Sequence, residues 1–336
     1  MVAKRINVAL QGGGAHGAFT WGVLSVLLER SDVAIDGVTG TSAGAMNAAV
    51  MMTGYEKGGE KGAVEALAGF WRDVSDAARF SPIQRSPFDV LMGNWSLDAS
   101  PVYLAYDIAS RIVSPALTNP LELNPLRPIV EAHVDFELLR SCVDLKLFVA
   151  ATNVHTGKVR VFSHAELTVD ALLASACIPS LFPPIVIDGE PYWDGGFVGN
   201  PPLYPLFYNT GTSDTVIVQI NPVIRRETPL LARDIVNRMN EITFNASLLK
   251  ELRAVRFVTR LIEHGHLQAD DYMRVRLHRI ASDELQPLSA SSKLNAEWEF
   301  LTYLYEIGRR SAHEWLDEHI EDIGVRDTLD VDAELV

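Results

Sequence analysis

The chain has 336 residues, with 29 basic and 43 acidic side chains and a formal net charge of −14. This balance excludes nucleic acid as a general partner, because nonspecific phosphate binding needs a basic surface. A hydrophobic content of 48% is typical of an ordinary globular protein. Two cysteines, Cys142 and Cys177, are too few for a disulfide scaffold or a zinc site built on thiolates, which favours a reducing compartment.

The N-terminal segment has neither the apolar stretch nor the cleavage site of a signal peptide. No run approaches the roughly 20 apolar residues that a membrane-spanning helix needs. We therefore expect a cytoplasmic protein that lies at most peripherally on a membrane, and the sequence leaves its oligomeric state open.

Two strand–turn–helix units open the chain. Residues 6–10 form a β-rich run that ends in glycines, and residues 18–28 have helical spacing of apolar side chains. Residues 34–40 repeat the strand, and the almost wholly apolar residues 45–52 predict a buried helix. Two such units predict an α/β fold with a mainly parallel sheet that is covered on both faces.

The middle of the chain is rich in proline. Seven of the 17 prolines lie between Pro82 and Pro128, which makes a central strand unfavourable there and predicts an insertion or cap at about residues 80–130. Strands are predicted at residues 145–151 and 158–162, joined by a hairpin turn, and again at 215–220.

The C-terminal third is predicted to be helical, at residues 231–264 and 294–320. Basic residues at positions 250, 253, 256 and 260 alternate with apolar ones, which is compatible with an amphipathic helix lying in lipid headgroups. A packed surface helix with solvated charges explains the same pattern. We divide the chain into a catalytic domain at 1–228 and a mainly helical region at 229–336 that packs on it.

Residues Gly12–Gly17 satisfy the pattern G-x-G-x-x-G between a strand and a helix. The pattern fits a dinucleotide site or simply a tight turn. A dinucleotide site also needs an acidic residue at the end of the second strand. Asp36 has nearly the right spacing, but it precedes the end of that strand.

The second strand ends instead in Gly40-Thr41-Ser42-Ala43-Gly44, a G-x-S-x-G turn that presents a serine hydroxyl. A serine nucleophile needs a base and an oxyanion site. The neighbouring glycine loop supplies backbone amides at a helix N-terminus for the oxyanion. Asp194, which precedes two glycines, is a candidate base, although Asp-Gly-Gly on its own is usually only a turn.

These residues resemble the patatin-like phospholipase family, in its bacterial type of acyl hydrolase. All four motif blocks occur in order: Gly12–Gly17, Gly40–Gly44, Ala174–Pro179 as the A-S-x-x-x-P block, and Asp194–Gly196. The resemblance implies a three-layer α/β/α sandwich. It also implies a Ser-Asp dyad that cleaves fatty-acyl esters of phospholipids or related lipids without metal or cofactor. It assigns Ser42 and Asp194 as catalytic and Gly12, Gly13 and Gly14 to the oxyanion hole, with His16, Gly17, Gly40, Gly44, Gly195 and Gly196 in supporting positions.

One position departs from the family pattern, which commonly has Arg or Lys where this chain has His16. Either His16 supplies a titratable cation to the glycine loop, or it is only a turn residue. The nearby helix N-terminus should favour neutral imidazole.

Two alternatives compete with this assignment. An α/β-hydrolase triad would add a late histidine to Ser42 and Asp194, although the serine turn comes too early in the chain for that fold. The candidates are His264, His266, His278, His313 and His319. A non-catalytic nucleotide-binding module would use the glycine loop alone. No histidine pair has convincing metal-ligand spacing, so no metal is expected.

Overall fold

The computed structural model describes residues 3–110, 112–119, 122–268 and 272–335. Across these residues eight strands form one sheet in the order β5-β6-β3-β2-β1-β7-β8, with β4 also paired to β3. The strands are β1 (Lys4–Leu10), β2 (Val33–Gly40), β3 (Lys146–Asn153), β4 (Val159–Ser163), β5 (Ile185–Ile187), β6 (Glu190–Asp194), β7 (Asp214–Val218) and β8 (Arg276–Ile280).

Helices connect and cover the strands. They are α1 (Gly17–Glu29), α2 (Ala43–Ala78), α3 (Pro87–Leu91), α4 (Pro101–Ser110), α5 (Pro115–Thr118), α6 (Leu126–His133), α7 (Phe136–Ser141), α8 (Val169–Ser175), α9 (Tyr204–Asn209), α10 (Ala232–Glu263), α11 (Trp298–His319) and α12 (Val331–Glu334). Non-helical backbone at Gly58 and Gly59 interrupts α2. No helix in the described ranges is both long enough and apolar enough to cross a bilayer.

The centre of the sheet is parallel, as expected. Strands β3, β2, β1, β7 and β8 pair in parallel, whereas β4, β5 and β6 pair antiparallel. Side chains of β1 alternate between two cores: Val8 and Leu10 face α1, α2 and α11, and Ala9 faces α9 and α10. Helices therefore cover both faces of the sheet, which confirms the predicted three-layer α/β/α architecture.

The C-terminal third departs from the prediction, because it contributes the edge strand β8 beside its helices. The sequence Arg-Leu-His-Arg-Ile lacks the apolar run that marks a buried strand. Its polar side chains are satisfied by β7 instead, since Arg276 and His278 both contact Asp214. The second predicted helix also begins later, at Trp298, after a 3₁₀ turn at Ala290–Leu294.

The proline-rich segment contains short helices and no strand among its described residues. Pro120, one of its seven prolines, lies outside the described residues. The segment is fixed to the C-terminal region, because the Leu97 amide donates to the Ser291 hydroxyl. The role of the segment as a cap and the division at residue 228 remain predictions. Both cysteines are free and buried.

Candidate active site

Ser42 lies in a sharp turn between β2 and α2. Its φ of 53° and ψ of −122° place it in a region that L-residues rarely adopt, as expected for a strained turn that presents a nucleophile. The Thr41 amide donates to the Leu10 carbonyl and the Thr41 hydroxyl to the Gly199 carbonyl, at 3.3 and 2.6 Å. These contacts fix the turn beside the end of β1.

Ser175 supports the same turn from the end of α8. Its fully buried hydroxyl accepts a hydrogen bond of 2.8 Å from the Ser42 amide. The A-S-x-x-x-P block was identifiable in the sequence, but this role of its serine was not. The contact gives the block a physical function, because it satisfies a backbone donor in a strained turn.

Asp194 is the last residue of β6 and is 1% exposed. Its backbone amide donates to the Cys177 carbonyl, and its carbonyl accepts from the Thr152 hydroxyl, at 2.8 and 2.7 Å. The Gly196 amide donates to Asp194 Oδ1 at 2.6 Å. The sheet and the following turn therefore hold both the backbone and the carboxyl group in place.

The structure brings Ser42 and Asp194 together, because the Ser42 side chain lies close enough to the Asp194 carboxyl group to act on its pKa. Burial raises the pKa of Asp194 to about 7, although the Gly196 amide, Ser42 and the positive charge of Lys293 act against this rise. A carboxyl group that titrates near neutrality beside a serine hydroxyl is suited to accept and return a proton.

The glycine loop lies directly against the serine turn. A Cβ at Gly12 would stand 2.8 Å from Ser42 Cβ, so only glycine permits this approach. Gly14 has a φ of +59°, and a Cβ there would collide with the Lys293 carbonyl oxygen. The five glycines predicted in supporting positions are also tightly packed, with an added Cβ closer than 3.0 Å to a neighbour, at Gly17, Gly40, Gly44, Gly195 and Gly196.

The three predicted oxyanion glycines differ in the state of their amides. The Gly12 amide donates to Asn200 Oδ1 at 2.7 Å, so it is already engaged. Within the described part of the chain, the Gly13 and Gly14 amides have no hydrogen-bond acceptor. The geometry therefore favours Gly13 and Gly14 as donors to an oxyanion and gives Gly12 the task of fixing the loop.

His16 is 3% exposed and packs edge-on against Phe300. Its Nε2 lies 2.8 Å from the Ser292 hydroxyl, which itself donates to the Ser289 carbonyl. Nε2 must then be the protonated nitrogen that donates to Ser292. Burial, followed by the charges of Lys293 and Arg225, holds the pKa of His16 well below its usual range. Its imidazole is neutral, chiefly through burial rather than the helix dipole.

Asp36 and His278, two residues of the competing hypotheses, are engaged elsewhere. Asp36 pairs with Arg5 and accepts from the Gly211 amide, so it is not a free ribose ligand. His278 is buried between Asp214 and Thr328. Among the described residues, no histidine hydrogen-bonds to Ser42, and no three His, Cys, Asp or Glu side chains cluster as metal ligands.

A buried amide network behind the glycine loop was not predicted from the sequence. Gln11 Oε1 accepts from the backbone amides of Ile220 and Asn221, and Asn221 Nδ2 donates to the Gly12 carbonyl at 2.7 Å. Lys293 Nζ donates to Asn221 Oδ1 at 2.7 Å. Ile220, Asn221 and Lys293 are more than 200 residues from Gly12 in sequence, so no local spacing could reveal these contacts.

Comparison with known proteins places the chain in a family. The model of the patatin-like phospholipase family matches residues 8–207, a range that includes both Ser42 and Asp194. No curated protein sequence matches the chain.

Solved structures resemble the chain more distantly. VipD from Legionella pneumophila is 16% identical with a TM-score of 0.44, and the match covers 94% of this chain and 67% of VipD. The type III effector ExoU is 16% identical with a TM-score of 0.37, over 94% of this chain and 53% of ExoU. The heterodimeric ExoU–SpcU complex from Pseudomonas aeruginosa gives 13% identity and a TM-score of 0.38, over 95% and 52%.

The chain thus spans about two thirds of VipD and about half of ExoU. Likeness at this level says nothing about substrate. The family match covers more than half of the chain and all four motif blocks. The chain therefore belongs to the patatin-like phospholipase family.

Proposed function

We propose that this protein is a lipid acyl hydrolase, of the phospholipase A or lysophospholipase type, that uses Ser42 and Asp194 as a catalytic dyad. The observation that carries the proposal is the placement of the buried Asp194 carboxyl group beside the Ser42 side chain. The strained backbone of Ser42 and the adjoining glycine loop support it.

In the first half of the reaction, Ser42 Oγ attacks the acyl carbonyl while the Asp194 carboxylate takes the hydroxyl proton. The Gly13 and Gly14 amides stabilise the oxyanion, and each such donor contributes about 3 kcal/mol in the transition state. Asp194 then returns the proton to the departing alcohol, which leaves the acyl group on Ser42.

In the second half, Asp194 accepts a proton from water, which attacks the acyl-enzyme. Asp194 then returns this proton to Ser42 Oγ as the bond to the acyl group breaks and the fatty acid is released. Both halves need Asp194 as a carboxylate at the start. Because its pKa is about 7, activity should increase as the pH rises through neutrality.

Exposed apolar side chains in two segments support a lipid substrate. Phe88, Leu91 and Met92 are 65–82% exposed in the proline-rich segment, and Met239 and Ile242 are 60% and 54% exposed on α10. The same helix reaches the dyad, because Phe244 packs on Gly196. We call these five residues the apolar rim and propose that it contacts the lipid surface peripherally.

The predicted basic contact on α10 needs revision under this proposal. Arg256 forms a bidentate pair with Asp332 and a second contact with Glu263, so its charge is already matched. Arg253 and Arg260 on the same helix are exposed. These two arginines are better candidates than Arg256 for contact with anionic headgroups.

The test compares hydrolysis of a soluble p-nitrophenyl ester and of phosphatidylcholine vesicles by the wild type and Ser42→Ala. We expect Ser42→Ala to lose at least about 10³-fold in kcat. Ser25→Ala is the matched control, because this buried hydroxyl donates only within α1. Loss of activity in His266→Ala or His313→Ala, with Ser42→Ala still active, would refute the dyad.

A further inference from the structure

A segment outside the family-matched range lies on the glycine loop. Residues Ala290–Leu294 form a 3₁₀ turn, and three of their groups meet the loop. The Ser292 hydroxyl accepts from His16, the Lys293 carbonyl lies against Gly14, and the Lys293 side chain reaches Gly12 through Asn221. Through Ser292 and Lys293, the C-terminal region therefore supports the glycine loop at three positions, Gly12, Gly14 and His16.

Lys293 is the charged member of this contact. Its Nζ donates to the neutral Asn221 amide, and no carboxylate among the described residues lies within ion-pair distance. A partly buried cation without a paired carboxylate is costly. Burial lowers the pKa of Lys293, while the charges of Glu241 and Asp194 raise it and that of Arg225 lowers it.

Two carboxylates, Glu241 and Asp194, interact with the charge of Lys293, and only Asp194 has no arginine partner of its own. On α10, Glu241 already pairs with Arg225 at 2.8 Å and with Arg238 at 3.1 Å. His16 is neutral, and burial raises the pKa of the Cys177 thiol to about 12, so it is neutral too. Lys293 is the only charged residue whose field lowers the pKa of Asp194 within the described part of the chain.

We propose that Lys293 is a positioning residue of the active site, supplied by the C-terminal region. Its hydrogen bond to Asn221 holds the Gly12 peptide so that the Gly13 and Gly14 amides face the substrate, and its positive charge favours the carboxylate form of Asp194. Asn221 and Asn200 bind the carbonyl and the amide of Gly12 respectively, so rotation of either flanking peptide breaks a hydrogen bond. The inference rests on the proposed Ser-Asp dyad and deepens it.

The experiment measures pH profiles of kcat/KM for a soluble ester in the full chain carrying Lys293→Met, Lys293→Gln or Lys293→Arg. We expect Lys293→Met and Lys293→Gln to lower kcat/KM by at least about tenfold, less than the 10²–10³-fold expected for loss of an oxyanion donor. Removal of the cation raises the pKa of Asp194. The acid limb of the pH profile, where kcat/KM rises with pH, should therefore move up by about one pH unit or more. Arg keeps the charge, so its limb should stay at the wild-type pH.

Lys158→Met is the matched control, because this exposed lysine lies in the β3–β4 hairpin. It should leave both kcat/KM and the limb unchanged. Folded Lys293→Met and Lys293→Gln variants with the wild-type limb would overturn the inference, even if kcat/KM falls, since a purely structural role moves no pKa. Failure of all three variants to fold would also overturn it. Activity that persists in Ser42→Ala would instead overturn the dyad, and this inference with it.

Discussion

Two segments of the chain, Gly40–Gly44 and Ala290–Leu294, contact the glycine loop. The function of the first could be predicted from its sequence, whereas that of the second could not. Gly40–Gly44 carries its function as a motif, because its strained turn and close contacts permit only certain residues. Ala290–Leu294 has the unremarkable sequence Ala-Ser-Ser-Lys-Leu, yet it contacts the loop through His16, Gly14 and Asn221. Backbone constraints leave local signatures in a sequence, whereas electrostatic support from a distant segment does not.

Two buried carboxyl groups of the sheet differ in the direction of their pKa shifts. Burial raises the pKa of Asp194 to about 7. Burial would also raise that of Asp214, but hydrogen bonds from His278 and Arg276 outweigh it and hold the pKa below its ordinary range. One carboxyl group is poised for proton transfer, and the other is fixed in an ion-pair cluster at the β7–β8 edge.

The largest expected effect separates these two carboxylates by activity. Asp194→Asn should lower kcat by about 10³-fold or more, because an amide cannot accept the Ser42 proton. Asp214→Asn, measured on folded protein, should keep kcat within about threefold of the wild type, since Asp214 touches neither Ser42 nor the glycine loop. Steady-state kinetics on a soluble ester check both values. Comparable losses in the two variants would contradict the contrast.

The two substitutions should have the opposite order of effect on stability: the variant that loses activity becomes more stable, and the active one becomes less stable. A carboxyl group whose folded pKa is raised destabilises the fold as pH rises from its unfolded value near 4 to about 7. Asp194→Asn should therefore raise the free energy of unfolding at pH 8, by up to about 4 kcal/mol, and by less at pH 4. Asp214→Asn should lower it by about 3 kcal/mol, because Arg276 and His278 lose a buried partner. Urea unfolding at both pH values measures the difference.

The supporting serine of the motif region should show a smaller effect. Ser175→Ala leaves the Ser42 amide without its acceptor and frees the strained turn to relax, so kcat should fall by about 10- to 100-fold. KM for a soluble ester should change little. Ser175→Thr retains the hydroxyl and tests whether that group alone restores activity. Wild-type kinetics in a folded Ser175→Ala variant would show that the hydrogen bond does not support the nucleophile.

The smallest effect is expected at His16, where Ala290–Leu294 contacts the glycine loop. His16→Gln can still donate to Ser292, so it should leave the acid limb in place and lower the free energy of unfolding by about 1 kcal/mol. His16→Arg would place another cation beside Lys293 and Arg225 and should be much less stable. A limb that moves with His16→Gln would mean that His16 itself titrates during catalysis.

The sequence was sufficient for the parts of the structure that depend on short-range constraints. It predicted the parallel central strands, the buried helix after Ser42 and the four motif blocks, and the fold and family are confirmed. It failed at β8, where Arg276 and His278 contact Asp214 on the neighbouring strand. It also could not assign Ser175 or Lys293 a role, because each acts on a loop that lies over 130 residues away in sequence.

The most direct test of the Ser-Asp dyad is the rate at which a fluorophosphonate modifies Ser42 as a function of pH, followed by intact-protein mass spectrometry. We expect a single adduct in the wild type, none in Ser42→Ala, and a rate that rises through about pH 7 as Asp194 ionises. In Asp194→Asn the rate should be very low at every pH. Modification of Asp194→Asn at the wild-type rate, or a limb that moves with His266→Ala, would contradict the dyad.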